Sequence, residues 1–339
     1  MMKISKPLIT FMLLIFISLI FSKCQNEKKR TIGFLLPNLT DSRYLKDKAY
    51  FGEKASALGF EVETAIADNN QEMQEKQAIQ MIDRGIKVLV ISAVNQNLAA
   101  SIVRYAHEND TKVIAYERLI NNCDLDYLVT FDHEAVGKLQ ASFAVEHMPK
   151  GNYVIIGGDK GDKNAELIEK GQLEVLEPLI KSESIHIIYR TFIEDWSTET
   201  AKEQVAKVAQ LSGEKIDVVL SANDAMAGGI IKSLEENQPA YPYLITGLDA
   251  DLDACKRIVT GKQSMTVYKP FKKMASIAAD LAVKLISHNG KADTNSQFFN
   301  GKKNVPTLLL NPLTINASNL KTTVLMDGFY KETEVYSNN

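Results

Sequence analysis

The chain has 339 residues, 45% of them hydrophobic and 24% charged, with a formal net charge of −3 and a sequence pI of ≈ 6.0. This composition excludes a disordered chain, and the length suggests about two domains. Lys and Arg are dispersed rather than gathered into the basic stripe that a phosphate backbone requires, which argues against nucleic acid as a partner.

In chain order, Lys3 and Lys6 come first, then the apolar run "PLITFMLLIFISLIFS" from Pro7 to Ser22, then Lys23 and Cys24. A basic start, an apolar segment and a processing site describe an export signal over residues 1–24. The run is shorter than the ~20 residues of a spanning helix, and the polar stretch "QNEKKR" follows, which weighs against a retained anchor. Cys24 resembles the lipid-accepting cysteine of bacterial lipoproteins, although Lys23 replaces the small residue usual before it. The folded part is expected to begin near Thr31, in the periplasm or cell envelope and lipid-anchored through Cys24.

From Thr31, "TIGFLLP", "FEVETAI", "IKVLVISAV" and "TKVIAYE" read as strands rich in β-branched residues. Between them "DSRYLKDKAYFGEKASALG" and "QEMQEKQAIQMIDRG" place apolar residues at helical spacing. The rhythm restarts after "LVTFDHEAVG": "NYVIIGG", a helix through Lys181, "IHIIYRTF", another helix, "IDVVLSAN" and "YLITGLDA". Such alternation predicts parallel strands joined by right-handed crossovers, and two series predict two α/β lobes. "IKVLVISAVNQNLAASIV" and "IDVVLSANDAMAGGII" echo one another as strand, polar turn and small-residue helix. Facing lobes would bring both turns, Asn95 with Gln96 and Asn223 with Asp224, to one cleft. Asn and Asp there are also good helix N-caps, but one cap per helix leaves the second polar residue for another task.

Other polar groups fall at predicted strand ends: Arg43 and Tyr44, Glu117 and Arg118, Asp162 and Asn164, Trp196, Asp249 and Lys269. Each alone reads as a cap, a solvated charge or a core aromatic. Together they fall where open α/β sheets bind ligands. Cationic and anionic groups are mixed, an amide is present, and aromatic faces accompany them. That set fits a neutral polyhydroxyl compound, whose hydroxyls donate and accept and whose C–H face stacks on a ring. A phosphorylated or carboxylated ligand would favour an excess of positive charge. Cys123 and Cys255 are expected to be free thiols, and the five scattered His support no metal site.

From Thr31 to about Glu334 the chain resembles the pentose/hexose-binding family of bacterial periplasmic proteins that serve sugar ABC importers, specifically its xylose branch. The resemblance rests on "DSRYLKDKAYF", "MIDRGIKVLVI", "LQASFAVEHMPKGNYVIIGG", "SANDAMAGG", "TGLDADLDACKRI", "MTVYKP" and "DGFYKE". It implies an α/β periplasmic binding protein of type I, with two Rossmann-like lobes whose parallel sheets are joined by three hinge crossovers near Asp132, Val267 and Pro312. The lobes would comprise residues 31–132 plus 268–311, and 133–267 plus 312–334. It further implies that Arg43, Tyr44, Arg118, Asp162, Asn164, Trp196, Asn223, Asp249 and Lys269 contact the sugar, with Glu117 standing where the branch has Asp and Tyr44 where it commonly has Trp. A monosaccharide, D-xylose above others, an importer permease as partner, a monomeric state and no cofactor follow as expectations.

An alternative role is a receptor that reports sugar occupancy to a membrane histidine kinase or chemoreceptor. An enzyme reading would pair Glu117 with Asp249 on a glycoside, but no nucleophile or metal motif accompanies them. "DADLDACKRIVT" lacks the Gly and the closing Glu of a calcium loop. A sugar-responsive transcription regulator would carry DNA-binding helices where this chain carries its export signal.

Overall fold

The structure, a computed structural model, describes residues 31–40, 42–211, 215–237, 242–288 and 292–336. The segment expected to act as an export signal, and Cys24, the expected lipid acceptor, lie outside the described residues. The first series comprises β1 (Thr31–Leu36), α1 (Ser42–Ala57), β2 (Glu61–Ile66), α2 (Gln71–Asp83), β3 (Val88–Ile91), α3 (Ala100–Glu108), β4 (Lys112–Tyr116) and β5 (Tyr127–Phe131). The second comprises α4 (His133–His147), β6 (Gly151–Gly157), α5 (Lys163–Lys181), β7 (Ile185–Phe192), α6 (Thr198–Leu211), β8 (Val218–Ser221), α7 (Asp224–Asn237), β9 (Leu244–Ile245) and α8 (Leu252–Val259). After these come β10 (Thr266–Tyr268), α9 (Phe271–His288), β11 (Ser296–Phe299), β12 (Asn304–Leu310), β13 (Leu313–Ile315) and the short α10 (Glu332–Tyr336).

Two main sheets result, seven strands in the order β11-β12-β5-β4-β3-β1-β2 and four in the order β7-β6-β8-β9. Pairing is parallel throughout both, except for β11, which runs antiparallel to β12 at one edge. After β5 the chain crosses at Asp132 to the second sheet, and after β9 it returns through β10 and α9 to the first; β13 follows β12 and joins β10 in a two-stranded sheet. β10 and β13 pair antiparallel with Val267 opposite Thr314, and Val267 also bridges Leu248. The doubly wound, two-sheet arrangement read from the alternation is therefore the observed one.

Local chemistry accounts for the elements. β3 (VLVI) and β8 (VVLS) are buried at every position, as expected where helices cover both faces of a parallel sheet. The edge strand β2 keeps Glu61 exposed and no residue fully buried. Helix starts are capped by side chains: Asn70 accepts from the Met73 N–H, Asp132 from Ala135 and Asp162 from Asn164, each at 2.9 Å.

One packing contact places two walls of the site. α4 and α5 touch through Gly137 and Gly171, where an added Cβ would overlap the carbonyl oxygens of Ile168 and Glu134 respectively. Only glycine lets the two backbones meet, which fixes the N-terminus of α4 beside that of α5. Gln140 on α4 then ties the second sheet from below. It donates to the carbonyls of Ser221 (3.1 Å) and Gly247 (2.9 Å) and accepts from Gln172 (2.7 Å).

Candidate functional site

The carboxyl ends of both sheets open onto one cavity of about 310 Å³, at the small end of the usual range for ligand sites, ~300–1,000 Å³. All ten residues singled out from the sequence line it: Arg43, Tyr44, Glu117, Arg118, Asp162, Asn164, Trp196, Asn223, Asp249 and Lys269. They come from both sheets and from the crossover at β10.

Glu117 is the electrostatic hub. Its carboxylate lies 3.1 Å from Arg43, 3.5 Å from Lys269 and 3.9 Å from Arg118. Burial alone would raise its pKa, but Arg43, Lys269 and Arg118 outweigh that effect and hold it well below the usual carboxylate range. Lys269, 4% exposed, reaches from Glu117 at the end of β4 to Asp249 beyond β9, 2.9 Å away. Burial opposes its charge, yet Asp249 and Glu117 keep its pKa above the ordinary lysine value. Arg43 also pairs with the buried Asp47 at 3.2 Å. Its guanidinium lies 4.7 Å from the ring centre of Tyr44 and 4.6 Å from that of Phe271, a cation–π arrangement that fixes the fork.

Backbone strain gathers at the same place. Glu117 (φ 69°), Asp249 (φ 97°), Asp195 (φ 53°) and Trp196 (φ 54°) all occupy left-handed conformations without being glycine. Such residues cost of order 1–3 kcal/mol each and persist where the surroundings over-determine them. Here Glu117 donates its N–H to Val129 O (2.8 Å) and Asp249 to Val267 O (2.9 Å).

The capping expectations resolve in particular ways. Asp162 both caps α5 and lines the cavity, and burial raises its pKa. Asn223 also does both: its carboxamide oxygen accepts from the Met226 N–H at 2.9 Å, which leaves the NH₂ for the cavity. Asp224, the second polar residue of that turn, does not line this cavity. It is fully buried and accepts from Gln263 Nε2 (2.7 Å), Thr266 Oγ1 (2.8 Å) and the Asp251 N–H (3.0 Å). Nor do Asn95 and Gln96 reach the cavity. The Asn95 carboxamide accepts from the N–H groups of Asn97 and Leu98 and closes its own turn. The facing-turn expectation thus fails for the first lobe because that turn satisfies itself.

Several lining residues were not anticipated, chiefly His133, Asp251, Phe271, Phe329 and Tyr330. His133 follows the Asp132 cap directly after β5, so the strand-end rule could have included it. Phe329 and Tyr330 arrive from the far end of the chain and carry no local signal. Cys123 and Cys255 are buried free thiols, and burial pushes their pKa values up to about 11 and about 12.

A profile of the periplasmic binding protein domain matches residues 32–292. The chain is 39% identical to the D-xylose-binding periplasmic protein of Haemophilus influenzae over 335 residues, 99% of this chain and all of that protein. It is 41% identical to the D-xylose-binding periplasmic protein of Escherichia coli, covering 91% of this chain and 94% of that one. Among solved structures, an ABC transporter solute-binding protein from Clostridium phytofermentans with bound β-D-glucose superposes with a TM-score of 0.82 at 30% identity, covering 90% of this chain and 99% of that one. The chain belongs to the periplasmic binding protein family, and its fold is the type I form of that family.

Proposed function

We propose that this periplasmic binding protein captures a monosaccharide, D-xylose above others, between its two lobes and delivers it to an ABC importer. The observation that carries the reading is the charge balance of the cavity. Three cations (Arg43, Arg118, Lys269) face four carboxylates (Glu117, Asp162, Asp249, Asp251), with His133 held neutral and aromatic rings beside them. A site so nearly compensated favours a neutral ligand rich in hydroxyls, each of which donates to a carboxylate and accepts from a cation or amide. The D-xylose-binding relatives support the pentose in particular. Tyr44 is 2% exposed with its hydroxyl 3.4 Å from Ser92 Oγ, so on this reading it closes one wall.

The lobes proposed are residues 31–132 with 268–311, and 133–267 with 312–334, hinged near Asp132, Val267 and Pro312. Binding leaves the sugar chemically unchanged. Glu117, held ionised by its cations, is no proton donor near neutral pH and so is not the general acid of a glycosidase. Export by the N-terminal signal, lipid anchoring at Cys24 and a monomeric state complete the proposal, with the permease as partner. Calorimetry against a panel of pentoses and hexoses is the test. Saturable binding of D-xylose with no metal or nucleotide added is expected, and a folded protein that binds no neutral sugar overturns the assignment.

A further inference from the structure

The sole tryptophan of the chain owes its placement to two residues that do not themselves line the cavity. Trp196 lies in the turn between β7 and α6, where it and Asp195 are consecutive left-handed residues. Residues with side chains rarely adopt that conformation, and two in succession need an external hold. The hold comes from the loop after β6. Asp159 accepts the Asp195 N–H with Oδ2 at 2.6 Å and the Gly161 N–H with Oδ1 at 2.6 Å, so one carboxylate bridges the two loops. The Gly158 carbonyl accepts the Ile193 N–H at 3.0 Å and anchors the start of the turn. Gly158 also supplies the surface on which the indole rests: an added Cβ there would overlap Cη2, Cζ3 and Cζ2 of Trp196. The ring lies directly against bare backbone, with Ile168 and Leu248 beside it in the cavity wall. A tryptophan that merely closed the core would need neither the strained turn nor the exposed Glu194 and Asp195 flanking it.

We propose that Gly158 and Asp159 are positioning residues for the ligand platform: Gly158 sets the depth of the Trp196 ring in the cavity, and Asp159 sets the angle of the turn that carries it. The inference rests on the monosaccharide reading for the ligand, but its geometric part concerns the ligand-free protein and is measured separately. The test uses Gly158→Ala, Asp159→Ala and Asp159→Asn in the full chain, with D-xylose as probe. The expected result in ligand-free Gly158→Ala is a changed tryptophan emission maximum and greater quenching by acrylamide, because the new methyl lifts the ring. D-Xylose affinity should fall by roughly 2- to 10-fold, the scale of a lost ring stack, while the circular dichroism spectrum stays native. Asp159→Ala adds no bulk and should raise quenching and lower affinity by releasing the turn. Asp159→Asn keeps one acceptor and should recover part of both.

Variants with native emission, native quenching and native affinity overturn the proposal, and so does lost affinity with an unmoved tryptophan signal. If Gly158→Ala does not fold, Asp159→Ala decides alone by the same criteria. If the native protein binds no sugar while the variants still shift the emission, the monosaccharide reading falls and the placement of the ring stands.

Discussion

Charge at single residues sets what the cavity can bind and how the protein responds to pH. Lys269 holds Glu117 and Asp249 at once from a buried position. Lys269→Met keeps most of its volume but leaves two carboxylates short of a cation. We expect a loss on the order of 2–3 kcal/mol, below the full figure for breaking a buried pair because the Asp249 side is partly exposed. Urea unfolding checks this, and a variant as stable as the native protein refutes the bridging role. His133 acts in the opposite sense. Burial, with Lys269 and Arg43 adding repulsion and Glu117 and Asp249 opposing it, lowers its pKa from 6.5 to about 4. Between those values the unfolded chain takes up a proton that the native state refuses. Stability is therefore lost as pH falls through that window, by on the order of 3 kcal/mol when complete, and is unaffected above it. Buried Asp47, raised to about 6 chiefly by burial, slopes the other way over much of the same range, but it is common to both proteins being compared. Stability measured against pH for the native protein and His133→Gln should diverge below pH ~6, and parallel curves would show that His133 is accessible to protons in the native state.

Among the elements, the α4–α5 pair carries the most consequence for the site, since His133 opens α4 while Asp162 and Asn164 sit at the start of α5. Their backbones meet through Gly137 and Gly171. Gly137→Ala puts a methyl on the Ile168 carbonyl, which is backbone and cannot swing away. The helices must part, at a cost of about 1–3 kcal/mol or more, and the polar groups at their N-termini part with them. Chemical denaturation and D-xylose titration of this variant should both show losses. An unfolding midpoint equal to that of the native protein would mean that the helices slide without penalty.

For the whole molecule, both sheets contribute to one cavity, so a ligand touching Arg43 and Asn223 together stabilises the arrangement in which the sheets face closely. The C-terminal segment meets α1 at the edge of the same cavity. Lys46 on α1 donates to the Phe329 carbonyl at 2.6 Å and lies 3.5 Å and 3.9 Å from the ring centres of Phe329 and Tyr330. Those two residues border the cavity. Small-angle scattering should give a smaller radius of gyration with saturating D-xylose than without it. An unchanged radius with demonstrated binding would assign the lobes a fixed separation.

The alternation of strands and helices, the capping residues at helix starts and the polar groups at strand ends were legible in the chain, because each is encoded within a window of a few residues. Apolar periodicity names an element, and Asn or Asp before a helix must satisfy its orphan N–H groups wherever the helix lies. Topology then carries the carboxyl ends of parallel strands to one side, so ten strand-end residues could be gathered without knowing a single distance. What folding alone settled are the contacts between distant segments. Local pattern could not tell that Asn223 would both cap and face the cavity while Asp224 turned into the core, since the choice depends on Gln263 and Thr266 being there to receive the carboxylate. It could not place Phe329 and Tyr330 beside α1, nor show that Gly158 leaves room for an indole 38 residues on. Those outcomes depend on which segments, far apart in sequence, meet on folding, and the energy of that meeting belongs to residue pairs that no short window contains.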